Sequence, residues 1–305
     1  MSKAAAEDAD PEEVTPIKPR FLLGARFEVA RCTHVKRRQG DGLNRQGIFV
    51  GCAGWSVGGE HAASFPNQGT HLQRYASHFN CVEINSSFYR PHRRQTYTRW
   101  AESVPEAFRF SVKVPKRITH QLRLTNCERP LEEFIGQCTG LGEHLGCLLV
   151  QLPPSMAFDV TVAEGFFRIL KEQYSGPVIV EPRHESWADA TSLLMTRQVS
   201  QAAVDPSRLS TDASPGGALG VQYWRLHGSP RIYYSAYGRS FLEGFASQLQ
   251  AAAAEGATVW CIFDNTASGA ALRNALDLSA LLTQKADRVV SPPPGRMSHE
   301  PLGNR

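Results

Sequence analysis

A single parallel (β/α)8 barrel is the fold expected of this chain, and three features of its 305 residues support the expectation. Near-continuous apolar runs recur through the middle of the sequence, as strands covered on both faces require. Helical periodicity fills most gaps between the runs, so each strand–helix–strand unit implies a right-handed crossover and parallel pairing. Eight runs are found, the number that closes a barrel of ~250 residues.

The first run, 48–53, holds Ile48, Phe49 and Val50 and leads into Gly51-Cys52-Ala53-Gly54-Trp55. This turn lacks the GxGxxG spacing and the immediate helix of a dinucleotide-binding sheet, which disfavours the open doubly wound alternative. A helix at 71–78 and a strand at 81–85 follow, then a helix at 93–104 and a strand at 108–114. The next pairs are 130–145 with strand 146–152, 162–174 with strand 178–181, and 189–197 with strand 201–204. Residues 206–220, rich in Pro, Gly and Ser, read as a loop before the strand at 222–227. A helix at 238–255, a strand at 259–264 and a helix at 267–285 complete the pattern.

The barrel is therefore expected over 47–285. Residues 1–46 pass from an acidic Ala- and Pro-containing segment into a basic stretch with Lys36, Arg37 and Arg38, and read as a mobile extension. Residues 286–305, with Pro292, Pro293 and Pro294, read as a disordered tail.

Composition narrows the function classes. A hydrophobic share of 42% with 20% charged residues belongs to a folded domain with a large core. No apolar run approaches the ~20 residues that span a bilayer, so no membrane partner is expected. A net charge of +4 is too mild for a dedicated nucleic-acid binder, which leaves a small anionic ligand as the favoured partner. Cys32, Cys52, Cys81, Cys127, Cys138, Cys147 and Cys261 form neither a CxxC pair nor a zinc spacing and read as reduced thiols. With an acidic amino terminus unlike a secretory signal, this leads to an expected cytoplasmic location.

The loops after the strands build the active site of a parallel barrel, so polar residues at those exits carry the functional hypothesis. Candidates for acid or base are Glu83, Glu181, His184 and His227. Trp55, Asn85, Tyr89, Lys113, His120, Gln151, Arg183, Arg225, Tyr237 and Asn265 are candidates for binding substrate. Side chains two apart on a strand share a face, so Glu83 goes with Asn85 and Arg225 with His227. Charges facing inward there must neutralise one another or await a ligand. The plain alternative is a closed network in which Glu83 and Glu181 pair with Lys113, Arg183 and Arg225. Rings at Trp55, Phe88, Tyr89, Trp187, Tyr234 and Tyr237 suit stacking of a sugar or base.

Several of these stretches taken together resemble the YecE-like family, known as domain of unknown function 72. They are Gly54-Trp55, Val82-Glu83-Ile84-Asn85-Ser86-Ser87-Phe88-Tyr89, Phe110-Ser111-Val112-Lys113 with Ile118-Thr119-His120, Gln151-Leu152-Pro153-Pro154, Glu181-Pro182-Arg183-His184 with Trp187, and Arg225-Leu226-His227-Gly228. The resemblance runs in order from about Ile48 to Leu282, and it implies a TIM-type barrel with a polar pocket at these positions and no particular reaction. Cys52-Ala53, Pro182 and Asp264 depart from the usual family residues, and Asp264 adds a carboxylate to the mouth.

Three functions compete. The first is a hydrolase, lyase or isomerase acting on a phosphorylated or sugar-like anion, held by Lys113, Arg183, Arg225 and His120, with the cofactor left open between none and a divalent metal. The second is a divalent-metal-dependent hydrolase or nuclease using Glu83, Glu181, Asp205, His227 and Asp264, which the neighbouring cations disfavour. The third is a non-catalytic sugar or nucleotide binder. No GxSxG nucleophile elbow is present.

Overall fold

The computed structural model describes residues 47–207, 209 and 213–290. The mobile extension expected at 1–46 and the tail beyond 290 lie outside the described residues.

Among the described residues there are ten strands: β1 (Ile48–Cys52), β2 (Cys81–Ile84), β3 (Arg109–Lys113), β4 (Leu145–Gln151), β5 (Val178–Glu181), β6 (Val199–Gln201), β7 (Ala203–Asp205), β8 (Gly216–Gly217), β9 (Val221–Leu226) and β10 (Thr258–Phe263). They form two sheets, in the orders β1-β10-β9-β7 and β2-β3-β4-β5-β6-β8. All pairings are parallel except β6 with β8.

Two features of the strands differ from the expected architecture. The strand expected at 201–204 is split, with Val199–Gln201 paired to β5 and Ala203–Asp205 paired to β9. Ala202 stands at the changeover and donates to Val180 O at 2.8 Å. The segment expected to be only a loop, 206–220, carries β8 antiparallel to β6, so this sheet is mixed. Gly217, at φ +65°, lets that short strand approach Val199 O closely.

Side chains join the other sheet edges, β1 and β2. The Tyr75 hydroxyl accepts from Cys52 N at 2.7 Å and donates to Cys81 O at 3.0 Å. Asn80 accepts from Val50 N at 2.9 Å and donates to Ile48 O at 2.7 Å. A parallel bridge joins Ala53 to Glu83 at the carboxyl end. Gly51 makes this approach feasible, because a Cβ there would stand 2.2 Å from Cys81 O.

The helices are α1 (His71–Ala76), α2 (Arg94–Glu102), α3 (Glu128–Cys138), α4 (Val160–Gln173), α5 (Thr191–Thr196), α6 (Arg239–Ala254) and α7 (Ala270–Val290). In α4 the Asp159 carboxylate caps Thr161 N and Val162 N, and Ala163, Phe166, Phe167 and Leu170 make the buried stripe. Burying each phenylalanine contributes about 1.5–3 kcal/mol, so packing rather than propensity fixes this helix. The helix expected at 130–145 ends at Cys138, where a 3-10 segment with Gly142 at φ 56° takes over. The last helix runs to Val290, past residue 285 where the domain was expected to end.

Strand alternation sorts the apolar residues into two sets. Val82, Val112, Leu148, Val180 and Phe263 join the core that includes the helices' apolar stripes. Cys81, Leu149, Ile179, Tyr223 and Ile262 belong to a second, smaller cluster. Two residues further along each of those strands stand Glu83, Gln151, Glu181, Arg225 and Asp264. The period of two therefore puts a polar layer on the same face, at the carboxyl ends of the strands.

Candidate functional site

Arg225 is the hub of this layer and is fully buried. Its Nε and Nη2 grip both oxygens of Glu83 at 2.9 and 2.8 Å, Nη1 reaches Glu181 Oε2 at 2.7 Å, and Nη2 reaches Asp264 Oδ2 at 3.1 Å. Tyr223 OH lies 3.1 Å from Glu83 Oε2 and 2.9 Å from Ser111 Oγ. Removing a guanidinium and its carboxylates from water costs several kcal/mol per ion, and only saturation with this geometry offsets it.

Burial alone would raise the Glu181 carboxyl, but Arg225, Arg183 and His227 outweigh it and hold it well below the usual range. Asp264 is likewise held low, burial being overcome by Arg225, His227 and Lys113. For Arg225 burial acts downward, and Glu181, Glu83 and Asp264 together raise it well above its ordinary value. These groups stay ionised throughout the neutral range.

At the outer side of the hub, Arg183 ion-pairs with Glu181 Oε1, which also accepts from Gln151 Nε2 at 3.0 Å. Arg183 Nη2 is 3.1 Å from His227 Nε2, and His227 Nδ1 is 3.0 Å from Asp264 Oδ2. A guanidinium can only donate, so Nε2 accepts and the Nδ1 proton points at Asp264. The imidazole is thus fixed in orientation and tautomer by groups on both sides, with its Nε2 lone pair engaged by Arg183.

Lys113, 5% exposed, is bound differently: Nζ donates to the amide oxygen of Asn85 at 3.0 Å and lies 4.4 Å over the Phe88 ring. Desolvation first, and then the like charge of Arg225, lower its ammonium to about 8, against the opposing pull of Glu83, Glu181 and Asp264. Its direct partner is neutral, which leaves it the cation best suited to receive an anion from outside.

Other expected site residues have hydrogen-bond or packing partners outside the Arg225 network. His184 Nδ1 turns to Ser186, accepting from its backbone N–H as the cap of a 3-10 segment, Glu185–Ala190. Beyond a strand end no period fixes where a side chain points. His120 bonds Thr119 Oγ1 and packs edge-on against Phe88, while Tyr89 is 68% exposed. Trp55 stacks edge-on against Trp100, and Trp187 is buried, donating to Met156 O. Tyr237 OH sits 2.7 Å from Asp205 Oδ2, and Asn265 Nδ2 contacts Ser235 O and Asn274 Oδ1.

The alternative metal set does not assemble. Among the described residues no group of His, Cys, Asp and Glu is arranged to hold an ion. The physical reason is direct: Arg225 occupies the lone pairs of Glu83, Glu181 and Asp264 that a cation would need, and Asp205 faces Tyr237. Tyr223 and Ser111, which complete the shell of Glu83, gave no sequence signal, since neutral hydroxyls inside apolar strands resemble core. Tyr233 also escaped the sequence reading. Its ring stands edge-on to His227, 5.9 Å between centroids, in a left-handed conformation at φ 70°. The described cysteines are all free and buried, with burial pushing Cys52 up to about 12.

Fold and site together define an α/β protein with a buried, charge-compensated cluster at the carboxyl ends of its parallel strands. The chain belongs to the family described as Protein of unknown function DUF72, whose model matches residues 49–298. It is 35% identical over 106 residues to the UPF0759 protein YecE of Escherichia coli strain K12, a match covering 35% of this chain and 38% of YecE. Against the UPF0759 protein YunF of Bacillus subtilis it is 30% identical over 151 residues, covering 46% and 52% of the two chains. The matched stretch thus spans about half or less of these relatives. Among solved structures, a DUF72 family protein of Thermotoga maritima superposes with TM-score 0.64 at 23% identity, covering 77% of this chain and 98% of that one. One from Enterococcus faecalis superposes with TM-score 0.63 at 22% identity, covering 77% and 95%. No helix among the described residues is long and apolar enough to cross a membrane.

Proposed function

We propose that the chain is an acid–base enzyme acting on a small anionic substrate, phosphorylated or sugar-like, at the strand ends. The observation that carries this reading is His227, with Nδ1 on Asp264 and Nε2 facing Arg183. In this reading the bound anion draws Arg183 off Nε2, His227 takes the substrate proton on that nitrogen, and Asp264 orients the ring through Nδ1. Lys113 and Arg183 hold the anion, and Asn85, Gln151 and Tyr233 shape the space around it. Glu83, Glu181 and Arg225 are positioning residues, because their charges are already matched, and Glu181, held well below the usual carboxyl range, is a poor proton shuttle. Proton transfer by such a base contributes typically about 10²–10⁴-fold.

The same reading takes the two sheets as one closed eight-stranded barrel of the TIM type. Residues 199–205 serve both sheets, and Tyr75, Asn80 and the Ala53–Glu83 bridge link the opposite edges. A cytoplasmic location accords with the buried, unpaired thiols.

Native mass spectrometry of the purified protein tests the ligand class: a retained organic anion, lost in Lys113→Met, is expected. A stoichiometric divalent ion instead would restore the metal-dependent reading and sink this one. If the chain only binds, His227→Gln retains the ligand and wild type returns it chemically unchanged.

A further inference from the structure

Beside the charged cluster lies a groove of about 300 Å³ that the chemistry above does not use. It runs between the loop after β2, the irregular turn after β3 and one face of α3. Phe88, Ile118 and Phe134 supply a buried apolar floor. Arg90, Lys116 and Arg117 line it and are exposed, and no carboxylate among the described residues pairs with them. Glu133, its acidic lining residue, is already paired with Arg129 at 3.1 Å. The cations on this wall are therefore uncompensated, whereas Arg183 and Arg225 of the central cluster are matched by carboxylates.

Two further observations point the same way. The wall from Arg117 to Gln121 is a π-helical turn, and Arg123 and Leu124 follow it at φ 49° and 66°. Such irregular backbone costs free energy and clusters where a shape is held for a ligand. Burial, and then Lys113, Lys116 and Arg123, depress the neighbouring His120, which reports a positive field over this side of the rim.

We propose that this groove is a second ligand site, taking an organic anion with a flat apolar body: the body on Phe88, Ile118 and Phe134, the anion on Arg90, Lys116 and Arg117. It is separate from the His227 site, because Phe88, buried between them, carries the groove on one side and Lys113 on its ring. An occupant would press on the ring that supports Lys113 and so couple the two sites.

The probe is 1-anilinonaphthalene-8-sulfonate, which joins an apolar ring system to one anionic group, with its uncharged parent N-phenyl-1-naphthylamine as control. Titration of the full chain, followed by fluorescence and calorimetry, is expected to show saturable stoichiometric binding. The double variant Lys116→Glu with Arg117→Glu, both on the surface, is expected to weaken it by at least about tenfold. His227→Gln is expected to bind the probe as wild type does, which keeps this proposal separable from the central-site reading. The uncharged parent should bind more weakly than the sulfonate. Absence of saturable binding, equal binding of the parent, or binding unchanged by the charge reversal would each overturn the proposal.

Discussion

His227 and Asp264 meet Nδ1 to Oδ2 at 3.0 Å, from the ends of the neighbouring parallel strands β9 and β10. Backbone register makes the pair, since Asp264 N donates to Leu226 O and sets the two side chains abreast. Neutral His227 is therefore expected to be the Nδ1–H tautomer, with Nε2 as acceptor. Long-range proton–nitrogen correlation spectra should show a pyridine-like Nε2, and Asp264→Asn should erode that preference. An Nε2–H majority in the wild type would contradict the geometry.

Arg225 makes the strongest demand on stability. Arg225→Met strands Glu83, Glu181 and Asp264 without their guanidinium, and a cost of about 3–5 kcal/mol is expected from breaking such a buried pair. Arg225→Lys cannot restore the two-pronged grip on Glu83 and should also destabilise. Urea unfolding measures both, and a loss under about 1 kcal/mol in the methionine variant would show the cluster to be solvated.

Lys113 should make anion binding depend on pH. Its folded value of about 8 lies below the ordinary 10.5, so the unfolded chain binds more protons between them and stability rises with pH across that window. The charge proposed to receive an anion is lost over the same range. Sulfate, whose own charge is constant there, should bind more weakly as pH rises through about 8, and Lys113→Met should bind it weakly at every pH. Calorimetric titration of wild type and variant at a series of pH values checks this; sulfate affinity flat through the window would count against it.

The junction of β1 and β2 depends on one hydroxyl. Tyr75→Phe leaves Cys52 N–H and Cys81 C=O buried without that partner, for an expected cost of about 1–3 kcal/mol. Gly51→Ala should cost at least as much, since its Cβ meets backbone rather than a flexible side-chain end. Hydrogen exchange should show faster opening at residues 48–52 and 81–84 in both variants. Unchanged protection there would mean that the two edges are held by something else.

Much of this site could be read from the sequence because strand alternation is a strict rule. Glu83, Gln151, Glu181, Arg225 and Asp264 each stand two residues beyond an inner apolar residue, and the face they share follows from that spacing. Residues past the strand ends had no such constraint, so His184 and His120 were grouped with the cluster but turn to local partners. Asp264 was read as an added carboxylate and a metal alternative, because its hydrogen bond to His227 depends on the register between β9 and β10. The split at Ala202 and the short antiparallel β8 were invisible for a related reason: both arise from pairing between distant segments, which local periodicity does not encode.

Proton transfer by His227 on an anion held by Lys113 and Arg183 is the step proposed for this site. Its most direct test is to incubate the purified chain with the small-anion fraction of a cell extract and follow every species by mass spectrometry, wild type beside His227→Gln. Wild type is expected to convert at least one anionic metabolite, and the variant to bind it still but leave it unconverted. Equal conversion by both proteins, or conversion by neither, would contradict it.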